Sequence, residues 1–191
     1  MAHGPDRREP MKPAPMTPQR VGIRRLAVLA GVLACAGPAA QAAGSWLRHP
    51  ADFPTSPLCQ ASEVALWSCT ARNKTFALCA DRGAVGPDFA IQYRVRDRAG
   101  KVVLRYPQPL RTPRSAFAYL VSANGDAELD FTIGPYHYAL VDPLRDRSFI
   151  TVDQGGKELS HLRCAEGNQS LQLNDTMALM KALGVPEPQD P

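Results

Sequence analysis

The sequence predicts a mainly β domain, an antiparallel meander forming a sandwich or partly closed barrel, closed by one short C-terminal helix. Three observations carry that expectation. Apolar and polar residues alternate with period two through a series of short segments, turn-forming residues recur at intervals of roughly 8 to 15 positions, and no helical segment separates one strand from the next. The last point excludes a parallel α/β sheet.

The first segment belongs to export, not to the fold. Arg24 and Arg25 precede the apolar run Leu26 to Ala36, and Ala40-Gln41-Ala42 follows as an A-x-A cleavage pattern, so residues 1–42 are a signal peptide with an extended N-terminal region. A start at Met16 gives that leader ordinary dimensions. The apolar run is too short to span a bilayer. Two other routes compete: the twin arginines lack most of the context of a folded-protein export signal, and Val32-Leu33-Ala34-Cys35 resembles a lipobox with an atypical Leu33. The better A-x-A site favours a soluble periplasmic or secreted product, without a membrane anchor.

Cleavage after Ala42 also changes the charge. The whole chain of 191 residues carries +4, but Arg7, Arg8, Lys12, Arg20, Arg24 and Arg25 leave with the leader against Asp6 and Glu9. The remainder is neutral and has no global pull toward polyanions, which removes the bulk-charge case for nucleic acid.

Residues 43–62 are Pro-rich and aperiodic, an irregular lead-in, and regular structure begins near Glu63. Glu63 to Cys69 and Thr75 to Ala80 flank the turn Ala71-Arg72-Asn73-Lys74. Phe89, Ile91, Tyr93 and Val95 alternate with polar neighbours, turn at Asp97-Arg98-Ala99-Gly100, and return through Val102, Leu104 and Tyr106. Leu129, Phe131 and Ile133 pass through Gly134-Pro135 into Tyr136, Tyr138 and Leu140. Phe149 to Val152 and Glu158 to Arg163 flank Gln154-Gly155-Gly156-Lys157. About eight or nine strands result. Leu173, Met177, Met180 and Leu183 then follow helical spacing, with Asn174 or Asp175 as cap and Gly184 and Pro186 as stop. The helix stripe is expected to dock on the sheet. A single domain thus covers 63–185, and 186–191 is expected to be a mobile tail.

Beyond the leader remain Cys59, Cys69, Cys79 and Cys164, an even set bound for an oxidising compartment, which reads as two disulfides. Neither C-x2-C nor nearby histidine spacing supports a metal site. Four cysteines allow three pairings. Antiparallel neighbours favour Cys59 with Cys79, leaving Cys69 for Cys164.

The run Leu58-Cys59, Glu63, Trp67-Ser68-Cys69 and Lys74 to Cys79, continued by Ile91 to Arg94 and Leu104 to Pro107, resembles a group of small uncharacterised proteobacterial periplasmic proteins. Phe131 to Ile133, Tyr136 to Tyr138 and Leu162-Arg163-Cys164 are similar too. The resemblance covers roughly residues 58 to 165 and implies a secreted, disulfide-braced β domain. It brings no activity with it. A likeness to the small periplasmic inhibitors of lysozyme is architectural only.

Catalytic patterns are sparse. There is neither a G-x-S-x-G elbow nor an H-E-x-x-H pair, and Gly155-Gly156 lies between strands instead of opening a phosphate-binding helix. His137, between Tyr136 and Tyr138, is expected on the solvent face of a strand, and His161 reads the same way. Glu128 and Asp130 share one strand face, and a solvated edge accounts for them. From Phe89 to Arg114 the chain carries seven basic residues against Asp97 alone. Within it Arg94, Arg96 and, across the hairpin, Arg105 form a candidate face for carboxylates or phosphates.

The function expected is a non-enzymatic periplasmic binding or inhibitor-type module without cofactor or metal. Its partner would be an envelope or secreted protein, or an anionic envelope component, met through Arg94, Arg96 and Arg105. The alternatives are an envelope hydrolase with a non-local site built on His137, Glu128 and Asp130, and a structural accessory of an envelope assembly.

Overall fold

The computed structural model describes residues 46–168 and 170–189. The leader, its cleavage after Ala42 and Cys35 lie outside the described residues. Among those described, ten strands form two antiparallel sheets that fit a β sandwich, with no closed barrel. In the first sheet, β1 (Glu63–Ala71), β2 (Lys74–Asp81), β3 (Ile91–Arg96) and β4 (Val102–Tyr106) run as a meander. The second holds β5 (Ala118–Val121), β6 (Ala127–Ile133), β7 (Tyr136–Asp142), β8 (Phe149–Gln154) and β9 (Lys157–Arg163) in sequence order. The chain then returns, and β10 (Glu166–Asn168) pairs with the outer edge of β1.

Local chemistry explains the reversals. β1 turns into β2 through Arg72 and Asn73, both at positive φ, and β8 into β9 through Gly155 and Gly156 at φ 60° and 77°. Two consecutive left-handed residues match the right-handed twist of a hairpin, and glycine adopts them without a Cβ penalty. α1 (Pro113–Ala116) bridges the sheets, and α2 (Asn174–Leu183) ends at Gly184, whose φ of 64° closes the helix through its amide to Lys181 and Met180. The start of α2 differs from expectation. Leu173 occupies the cap position without a side-chain bond, because the Asp175 carboxylate instead accepts the backbone amides of Arg48 and His49.

The main core lies between the sheets. Leu66, Leu78, Ile91 and Tyr93 of the first sheet and Leu129, Phe131, Leu140 and Ile150 of the second belong to one buried cluster, to which α2 adds Leu179 and Met180. Phe131 stands at its aromatic centre, with ring centroids 4.9 to 5.7 Å from those of Tyr93, Tyr106, Phe117 and Tyr138. The lead-in belongs to the core as well: Trp46 and Phe53 are buried, and their rings meet edge to face. At the far end Tyr119 N donates to Pro186 O.

Two covalent ties and one buried carboxylate brace the sandwich. Cys59 is joined to Cys79, and Cys69 to Cys164 across 95 positions, the pairing antiparallel neighbours favour. Asp142, fully buried, accepts Trp67 Nε1 at 2.8 Å, Ser148 Oγ and the Leu171 amide at 3.0 Å. It therefore links β1, β7 and the segment leading to α2. Burial pushes its carboxyl up to about 6, even against these donors, which favour the charged form.

Candidate functional site

The outer face of the first sheet does not present the three arginines as expected. Arg94 and Arg105 do sit directly opposite each other, and Arg96 pairs with Val102. Arg94, however, is buried under the lead-in, where its guanidinium makes two 2.7 Å bonds to Glu63, one to Leu58 O and one to Gln92 Oε1. Burial would raise the Glu63 carboxyl, but the Arg94 guanidinium and the Gln60 amide outweigh it and hold the group below its ordinary range. All of Arg94's charge is spent inside the fold, so it is withdrawn from any anion site. Arg105 is exposed and Arg96 half-buried. The sequence pattern placed the strand face correctly and missed the acid, because Glu63 is 31 positions away from Arg94.

Cys59, Glu63 and Cys79 bring their ligand-type atoms within 4.8 Å of one another. Both sulfurs are already bonded to each other, so this grouping has no thiolate to offer a metal.

On the second sheet the outcome is the opposite. β6 lies between β5 and β7, so Glu128 and Asp130 are on an inner strand and not on a solvated edge. Leu129 and Phe131 turn into the core, which sends Asp130 to the outer face. There Asp130 is flanked by Ala118 on one side and Ala139 on the other. Two small neighbours leave a hollow in the sheet, and residues farther out build its walls. His137 stands diagonally from Asp130 on β7 and directly opposite Asp153 on β8.

The result is a cleft of about 890 Å³. It is lined by Glu128, Asp130, His137, Asp153 and Glu158, by the half-buried Tyr106 and the exposed Arg114, and by Pro188 and Gln189 near the C-terminus. His137 Nδ1 lies 2.8 Å from Asp153 Oδ2, and its Nε2 3.8 Å from Asp130 Oδ1. Asp130 is only 6% exposed, and its Oδ1 has no hydrogen-bond partner. Burial, then the charge of Glu128 beside it, pushes the Asp130 carboxyl up to about 7, against the lowering influence of His137. Below neutrality Asp130 thus keeps a proton that an exposed aspartate would release.

The expectation that His137 faces solvent holds in part. Its side chain is 42% exposed, yet one ring nitrogen is committed to Asp153. His161 does not line the cleft; it stacks on Phe149 at 4.7 Å, and its Nδ1 lies 3.6 Å from the cleft residue Glu158. In the sequence, the one legible signal of the cleft was the pair Glu128 and Asp130 on one face; Asp153 and Glu158 carried none, because they reach it only through the β7–β8–β9 register. No family model, no curated protein and no solved structure matches the chain.

Proposed function

We propose that the chain is an exported, non-enzymatic binding module whose ligand site is the cleft over the second sheet, not the arginine face of the first. One observation carries this reading: a buried carboxylate oxygen of Asp130 lacks a partner beneath a concave, mixed polar and aromatic surface. Leaving such an atom unsatisfied costs about 1–3 kcal/mol, a cost that folds tolerate where something from outside completes the bonding.

His137 supports binding over hydrolysis. Asp153 holds its Nδ1, as it would in a catalytic base, but its Nε2 faces the Asp130 carboxyl at 3.8 Å, and among the described residues no hydroxyl hydrogen-bonds to that nitrogen. Cys59, Cys69, Cys79 and Cys164 are all in disulfides and offer no thiolate. Those bridges support an oxidising compartment, in line with the sequence pattern of the leader. The partner is then a small molecule or a projecting side chain of the cell envelope.

A small-molecule fragment screen followed by amide NMR on the oxidised chain tests the site. Shifts should gather at Glu128, Asp130 and His137 and vanish in Asp130→Asn. Shifts gathered at Arg96 and Arg105 would reject the cleft. Intact mass from a periplasmic extract tests export, with a chain beginning near Ala43 as the expected result.

A second reading, an envelope hydrolase, is favoured by the Asp130 carboxyl, pushed up to about 7 by burial and by Glu128 beside it, which suits a general acid. Turnover of ester, peptide or muramyl substrates that falls in both Glu128→Gln and Asp130→Asn would establish it in place of a binding role.

A further inference from the structure

We propose that the cleft takes the ammonium head of an amphipathic organic cation, seated between Asp130 and Glu128 with its apolar body against Tyr106. This rests on the cleft being the ligand site and names the chemistry it selects.

The sign of the ligand follows from the charges that face Asp130. Glu128 stands on its own strand, Asp153 on β8 and Glu158 on β9, against His137 on β7 and Arg114 on α1. His137 is already paired at 2.8 Å with Asp153, and Arg114 is exposed. Glu158 has His161 Nδ1 at 3.6 Å, and His137 Nε2 lies 3.8 Å from Asp130 Oδ1, beyond hydrogen-bond reach, so among the described residues Glu128 and Asp130 have no Lys or Arg partner. An anion, the ligand class the arginine face suggested, would be repelled here.

The shape of the ligand follows from the walls. Tyr106 lines the cleft half-buried, its ring held from behind by the buried Phe117, edge to face at 5.7 Å, and by stacking on the buried Phe131 at 4.9 Å. A ring fixed in this way favours an apolar or aromatic body, and it also attracts positive charge over its face. A metal ion suits the floor less well. His137, Asp130 and Asp153 do not bring ligand atoms within 4.8 Å of one another as a set, whereas Cys59, Glu63 and Cys79 do.

Binding also displaces a proton. Burial and the neighbouring Glu128 push the Asp130 carboxyl up to about 7, so at pH 6 Asp130 is protonated while the cleft is empty. An incoming ammonium supplies the positive charge instead, donates to the unpaired Asp130 Oδ1 and to Glu128, and the displaced proton goes to solvent. No covalent bond forms or breaks.

Phenethylamine and its neutral counterpart 2-phenylethanol are the probes. Calorimetry at pH 6 in two buffers of different ionisation enthalpy should show phenethylamine binding with release of close to one proton per site. Its affinity should fall about tenfold for each pH unit below the titration of Asp130. Asp130→Asn should weaken binding at least about tenfold and abolish the proton release. Glu128→Gln, more exposed and safer for the fold, should do the same.

Binding of 2-phenylethanol as tight as the amine, or amine binding without a pH dependence, overturns the cation and proton exchange while the cleft stands as a site. Failure of both probes to shift any amide of Glu128, Asp130 or His137 at millimolar concentration overturns this inference. If the fragment screen also leaves the cleft untouched, the binding reading falls with it.

Discussion

Asp142 shows how one residue can hold three parts of a chain together and still titrate in an accessible range. Its carboxylate satisfies Trp67, Ser148 and the Leu171 amide, so removal leaves three buried donors without an acceptor. Asp142→Ala should cost about 3–5 kcal/mol in urea unfolding, a sum of small desolvation penalties. Asp142→Asn keeps an acceptor for Trp67 and should cost less. Glu63 with Arg94 poses the converse problem. Removing the acid strands a buried guanidinium, and Glu63→Ala should cost about 3–5 kcal/mol, more than an exposed ion pair ever contributes.

At the scale of elements, alternation was legible and pairing was not. β1 to β4 and β6 to β9 lie where period two predicts them, because half-buried strands display their faces in the sequence. β5, four residues after a proline-led turn, and three-residue β10 are too short to show a period, and only their partners β6 and β1 define them. The helix end at Gly184 was readable from its glycine, whereas the helix start was not, since Asp175 serves the lead-in more than 120 positions away. β6 does two jobs through its alternation. Phe131→Ala should cost about 3–5 kcal/mol by opening a cavity among four aromatic neighbours, while Glu128→Gln on the opposite face should leave the melting midpoint nearly unchanged.

For the whole molecule, the two disulfides differ by the length of chain they close. The bridge across 95 positions restricts the unfolded chain by about 4.7 kcal/mol in the entropy model, against about 3.3 kcal/mol for the bridge across 20. Replacing Cys69 and Cys164 by Ser should therefore lower the urea midpoint more than replacing Cys59 and Cys79.

The acid dependence of stability is also global. Asp130 and Asp142 titrate higher in the folded state than unfolded, so their contribution is complete below pH ~4 and is lost as pH rises through about 6 to 7. Glu63 and Asp175 titrate lower, and their contribution is lost as pH falls below ~4. Stability should peak near pH 4–5 and decline toward neutrality by an amount on the order of 2 kcal/mol. A series of urea melts across pH checks this, and Asp142→Asn should flatten the decline.

Alternation, turn chemistry and spacing are local properties of a chain, and they sufficed for the class of the fold, most of its strands, its helix and the even set of cysteines. What the charged residues do depends on contacts made across the fold. Arg94 and Asp130 look alike in sequence, each a charge on the polar face of a strand. The lead-in covers the first with Leu58 O and β1 supplies Glu63, while alanines beside the second open a cleft that leaves its oxygen unpaired. A carboxylate or guanidinium takes its meaning from burial and from partners brought by other strands, and neither is written within a few residues of it.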